Sequence, residues 1–155
     1  MNYQDTLDYM EWNKTKYEIS HKPPKPNFNI YYNCIYWAFL GINVGSEQNK
    51  HRPVLVTRHQ PNSSICTIIP ITSQRLNDSY SFHIDLENFN GTVMVEQMRV
   101  IDIRRIDKPI IVNKKTISIT QNDWNKISQQ IISLYSMKPL PDSEQESPKK
   151  VLTTV

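Results

Sequence analysis

Apolar residues fall into short unbroken runs through the middle of the chain and into one helical stripe near its end, and the two patterns predict different elements. Residues 34–40 (CIYWAFL), 53–57 (PVLVT) and 65–71 (ICTIIPI) are rich in β-branched and aromatic side chains and predict buried strands. Residues 80–86 (YSFHIDL) alternate between apolar and polar. Residues 92–103 (TVMVEQMRVIDI) predict one long strand or two bent ones. Between them lie a polar loop with two glycines (41–51) and a turn by composition (59–64). Pro70, lacking an amide donor, suggests a sheet edge or a bulge.

Helical spacing appears at both ends. Trp124, Ile127, Ile131 and Leu134 recur at intervals of three and four, and Thr120 with Asp123 forms an approximate capping box ahead of them. Tyr3, Leu7, Met10 and Tyr17 predict a weak amphipathic arm helix over residues 1–20, broken by the prolines of residues 21–27 (HKPPKPN). From Met137 the chain turns rich in Pro, Ser and charge, the composition of a disordered tail. Three zones follow: an arm and Pro-rich linker (1–29), a body (30–136) and a tail (137–155). Many short strands with one late helix predict a mainly β (α+β) body, a small barrel or strongly bent sheet with the helix packed on it.

Composition narrows the function classes. A chain of 155 residues is enough for one core, and its formal net charge of +3 is compatible with a phosphate-bearing partner without requiring one. Two cysteines, each in an apolar run, predict buried free thiols in a reducing compartment, and their spacing makes no zinc site. With only three glycines there is no phosphate-cradling loop, and no cofactor is expected. No run approaches the roughly 20 apolar residues that cross a bilayer. The first ten residues are polar and acidic rather than signal-like. A soluble cytoplasmic protein is expected.

One segment goes further. Residues 45–56 (GSEQNKHRPVLV) resemble the signature of the MazF/PemK toxin family, which writes a GSEQ loop, a few polar residues, then RPV and an apolar strand. Residues 70–73 (PITS) resemble the family's P-x-T-[ST], and residues 95–102 (VEQMRVID) resemble its acidic-Gln-x-[RK] strand. The three blocks are in order, and the match spans about residues 33–136. The resemblance implies an SH3-like β-barrel with a C-terminal helix, a homodimer, and metal-independent cleavage of single-stranded RNA. It also implies a cognate antitoxin protein that blocks the RNA groove.

Such cleavage needs a base for the 2′-hydroxyl, a donor for the leaving oxygen and positive charge for the phosphorane. Arg52 suits the last role, since its guanidinium stays charged and offers a planar fork to phosphate oxygens. Thr72 carries a short hydroxyl able to bond a non-bridging oxygen. For the base, the resemblance points to Glu96, while His51 beside Arg52 titrates near neutrality and stands as the other candidate. Plain alternation puts Glu96 on the face opposite Gln97 and Arg99, so lining one groove with all three requires a bulge. Glu47 is a candidate bidentate partner for Arg52. Gln48, Ser73, Gln97 and Arg99 complete the candidate RNA-binding or orienting set. Arg104 and Arg105 are candidates for tracking an RNA backbone, or for a solvated face. His59 and His83 read as structural or exposed, and Trp37 and Tyr36 as core or dimer contacts. Two rival functions remain at this stage: a gyrase-directed inhibitor on the same barrel, and an inactive SH3-like binding module.

Overall fold

A computed structural model describes residues 2–142 of the chain. At its centre, β1 (Ile35–Phe39), β2 (His51–Arg58) and β3 (Ile65–Thr72) pair antiparallel as neighbours. These are the three apolar runs, and they are unbroken because the sheet is covered on both faces. Tyr36, Ala38, Val54, Val56 and Ile68 pack into one core with Phe28 and Ile30, while Ile35, Leu55, Ile69 and Ile71 enter a second. Cys34 and Cys66 are free and buried, and burial pushes the Cys66 thiol up to about 12.

The sheet grows outward through β4 (His83–Asp85), β5 (Thr92–Met94), β6 (Arg99–Asp102) and β7 (Ile106–Pro109). Its order is β4-β5-β3-β2-β1-β7, with β6 also paired to β3. A separate hairpin joins β8 (Ile111–Val112) to β9 (Lys115–Thr116). The outer edge of β3 is shared, its first half pairing with β6 and its last two residues with β5. Pro70 falls in the gap between those two ladders, where a missing N–H is tolerated. Since β4 and β7 do not pair, the expected barrel is realised as an open antiparallel sheet with two helices, an α+β fold.

Helix α2 (Gln121–Tyr135) lays Trp124, Ile127 and Ile131 on the second core, and Leu134 stays exposed. Thr120 caps it by accepting from the Asp123 amide at 3.1 Å. The expected reciprocal bond is absent, because the Asp123 carboxylate turns inward to accept from the Glu87 amide at 2.9 Å. Its other oxygen is buried without a partner.

Helix α1 (Tyr3–Ser20) is present, but it is rotated from expectation. The stripe of Tyr3, Leu7, Met10 and Tyr17 faces solvent, and Ile19 is the one buried residue of the helix. What seats the helix is Trp12. Its ring lies against Gly41, where an added Cβ would stand 2.4 Å from the indole, and Arg105 covers the same ring at 5.6 Å. Arg104 grips the end of the helix by donating to the Ser20 carbonyl at 2.9 Å. The linker is also fastened, with Lys22 donating to the Arg104 carbonyl and Lys25 to Asn62. Thus Arg104 and Arg105, read from the sequence as possible RNA contacts, serve to dock the arm. Residues 137–142 carry no regular structure and are exposed, while the rest of the expected tail, 143–155, lies outside the described residues. Among the described residues no helix is long and apolar enough to cross a membrane.

Candidate functional site

The loop between β1 and β2 is closed at its neck by two backbone bonds, Leu40 N–H to the Lys50 carbonyl (2.8 Å) and Lys50 N–H to the Gly41 carbonyl (2.6 Å). Asn43 stitches it internally by donating to the carbonyls of Leu40 and Gln48. Glu47 accepts from the Val44 amide at 3.0 Å. The carboxylate expected to pair with Arg52 therefore holds its own loop instead. Arg52 is gripped by Gln48 and Asn49: its Nη1 donates to Gln48 Oε1, and its Nε to the Asn49 carbonyl at 2.6 Å. Burial pulls the Arg52 pKa below the usual arginine value, yet arginine remains a cation at any working pH. Among the described residues Nη2 has no protein partner, which leaves it for a ligand.

Opposite this loop, the alternation expected of residues 92–103 breaks. A 3₁₀ turn at Val95–Gln97 separates β5 from β6. It does the work required of a bulge, since a tight turn brings consecutive residues to one side where a strand would oppose them. Glu96 and Gln97 both line the cleft as a result, and Arg99, back in a strand, does not. Gln97 spans to the loop, accepting from the Gln48 amide and donating to the Ser46 carbonyl, both at 3.4 Å.

The cleft so formed has a volume of about 850 Å³. Arg52, Lys50 and Arg75 supply positive charge, Thr72 and Ser73 stand at the end of β3, and Trp37, Tyr80 and Phe82 add aromatic surface. The Thr72 hydroxyl accepts from the Gln74 amide at 3.3 Å, leaving its own proton to donate. His51 is elsewhere. Its Nε2 lies 3.0 Å from Asp107 Oδ2 and its ring stacks on Trp37, so it lines the groove beneath the arm helix. That position sets it outside the lining of the cleft and makes it a brace behind Trp37. Asp107 is available for this because the β1–β7 register slips there, with Trp37 opposite Lys108 but Ala38 opposite Ile106.

A model of the PemK-like, MazF-like toxins of type II toxin-antitoxin systems matches residues 33–135. The chain belongs to this toxin family. Among solved structures, the fold is similar to that of MazF from Deinococcus radiodurans, with a TM-score of 0.59 and 19% identity over 72% of this chain and 100% of that one. The MazE-MazF structure from the same organism matches at a TM-score of 0.55, again with 19% identity and the same coverage. No curated protein matches closely enough to count as a relative. The matched span contains every lining residue of the cleft and excludes the arm helix of this toxin.

The sequence reading left His83 as structural or exposed; the structure buries its side chain in the lining of the toxin's cleft. The His83 side chain is 6% exposed, with Nδ1 at 2.5 Å from Asp78 Oδ2 and Nε2 at 2.6 Å from Glu96 Oε1. Two ionised carboxylates at the two ring nitrogens can both be satisfied only by a ring carrying two N–H donors, so the geometry favours the imidazolium. Burial works against that charge, but the bonds to Asp78 and Glu96 prevail and the His83 pKa is raised. Phe82 and Ile84 point into the second core, so alternation alone turns His83 to the other side. The missing signal was its neighbour: His83 pairs with Met94, two residues before Glu96. Asp78 and Glu96 sit at opposite edges of the ring, so the three groups do not converge on a point. Among the described residues no group of three His, Cys, Asp or Glu is placed to hold a metal ion.

Proposed function

We propose that this toxin is an endoribonuclease that cuts single-stranded RNA without a metal ion. The observation that carries the reading is the convergence of three sequence-distant segments on one cleft. Arg52 is held in place by Gln48 and Asn49, Thr72 stands at a strand end, and Glu96 sits on a turn. The 2′-hydroxyl oxygen of the substrate attacks the adjacent phosphorus, and its proton passes to Glu96. A carboxylate oxygen accepts two hydrogen bonds, so Glu96 Oε1 takes that proton while still held by His83. Arg52 and Thr72 donate to the non-bridging oxygens as charge builds, the contribution that usually dominates such sites. The P–O5′ bond then breaks, the leaving oxygen taking a proton from solvent. A 2′,3′-cyclic phosphate and a 5′-hydroxyl remain. Aromatic walls suit splayed bases, the usual way single strands are read. Family membership supports a homodimer and a protein antitoxin as partner.

The test is incubation of purified protein with a long unstructured RNA in excess chelator, beside Arg52→Ala, with mapping of product ends. Wild type is expected to cut and leave cyclic phosphate ends, with Arg52→Ala slower by on the order of a hundredfold. Intact RNA from folded wild type, or equal cutting by Arg52→Ala, would sink the reading and turn attention to a gyrase-directed inhibitor.

A further inference from the structure

His83 ties together, through its side chain, two parts of the cleft that the Val95 N–H to Phe82 carbonyl bond (3.1 Å) joins through the backbone. Asp78 belongs to the loop between β3 and β4, which carries Ser73, Arg75 and Tyr80 along one wall; Glu96 belongs to the 3₁₀ turn on the other side of β5. Both carboxylates reach the same imidazole ring, one at each nitrogen. The ring centroids of Tyr80 and Phe82 lie 5.2 and 5.3 Å from that of the imidazole and cover part of it. The second oxygen of Glu96 is buried without a partner, so His83 is the only recorded hydrogen-bond partner of that side chain among the described residues.

We propose that His83 is a positioning residue of the ribonuclease site: its imidazolium clamps Glu96 and the Asp78 loop together, and RNA cleavage requires that clamp to be protonated. The proposal rests on the ribonuclease reading above. Its logic is that of donors. An imidazolium offers two N–H groups to two carboxylates, whereas neutral imidazole offers one and turns a lone pair toward the other. On losing its proton His83 must release either the Glu96 or the Asp78 carboxylate, and a misplacement near 1 Å is costly to a reacting group. The groups that face the ring are Asp78 and Glu96, with the tyrosine hydroxyl-bearing ring of Tyr80 beside them. Arg75 acts on Asp78 from the same loop.

The sign follows. The folded His83 pKa is raised, so the clamp is intact below the ordinary histidine value of about 6.5 and fails only as pH rises through the raised folded value. A site limited by a carboxylate base alone does not lose rate on that alkaline side.

The experiment is the pH dependence of kcat between about pH 5.5 and 9, scored on site-specific RNA products with Arg52→Ala subtracted as background, for wild type, Asp78→Asn and His83→Gln. Wild type is expected to hold its rate beyond the ordinary histidine range and then fall. Asp78→Asn, with one carboxylate gone, should move that fall to lower pH. His83→Gln should lose on the order of ten- to a hundredfold in kcat at neutral pH and show no such fall. Circular dichroism of each variant establishes that it is folded, and NMR of the His83 ring nitrogens in wild type and Asp78→Asn reads the same titration without RNA. An active wild type whose pH profile is unchanged in both variants overturns the proposal alone. A wild type that leaves RNA intact at every pH overturns the ribonuclease reading and this role with it.

Discussion

Gln48 Oε1 accepts from Arg52 Nη1 across a single loop neck, four residues apart in the chain. The guanidinium is thus aimed by a neutral amide and leaves its charge unspent, where a carboxylate partner would have cancelled part of it. Gln48→Ala keeps the Asn49 contact to Nε and removes the second point of attachment. A hydrogen bond to a charged group is worth about 1.5–3 kcal/mol. The expected outcome is a loss of roughly tenfold in kcat, smaller than for Arg52→Ala, read from single-turnover RNA cleavage.

Tyr80 is half exposed (55%) on the wall of the cleft, with its ring packed at one side on Phe82. On the ribonuclease reading, an exposed ring braced in this way offers an unpaired base a surface to stack on. Stacking on an aromatic side chain is worth about 1–3 kcal/mol. Tyr80→Ala should therefore raise KM by roughly five- to a hundredfold with less effect on kcat. Steady-state kinetics on a short RNA containing the cleavage site would check it, and a change confined to kcat would contradict it.

Gly41 combines a φ of +83° with the close approach of Trp12. A Cβ there meets both backbone strain, about 1–3 kcal/mol, and the indole ring. Gly41→Ala is expected to release the arm helix while the sheet stays folded. Limited proteolysis should then cut the linker near residues 21–27 faster, with little change in the melting of the body.

The arm has a second, pH-dependent fastening. Asp102 is held below the usual carboxylate range by hydrogen bonds from the Arg104 side chain, with partial burial opposing and the Arg104 amide adding to it. Arg104 in turn grips Ser20. The Asp102 contribution is present above the ordinary aspartate value of about 3.9 and lost as pH falls through its lowered folded value. NMR amide shifts of Arg104 and Ser20 are expected to move together in that acid range in wild type. In Asp102→Asn they should not.

The elements legible from sequence are those where burial alone decides the pattern. β1, β2 and β3 read correctly because both faces are covered, and α2 because one stripe meets one core. The arm helix was legible as a helix but not in its rotation, since one Trp–Gly contact outweighs four apolar residues that stay on the surface. Within the site, the resemblance brought Arg52, Thr72, Glu96 and Gln97 to the cleft. Local pattern could not show that a turn replaces strand alternation at Glu96, nor that Gln48 rather than Glu47 meets Arg52. His83 was missed because its meaning lies in two carboxylates brought to it by the β4–β5 hairpin and the loop before it.

The shared outer edge of β3 sets an order on synthesis. The walls of the cleft are contributed by segments running from Trp37 to Gln97, and β1 receives its outer neighbour only when residues 106–109 are available. A chain emerging from the ribosome has Arg52 early and Glu96 late. Until Gln97 has cleared the exit tunnel the cleft lacks one of its walls, so a nascent chain carries an unfinished site.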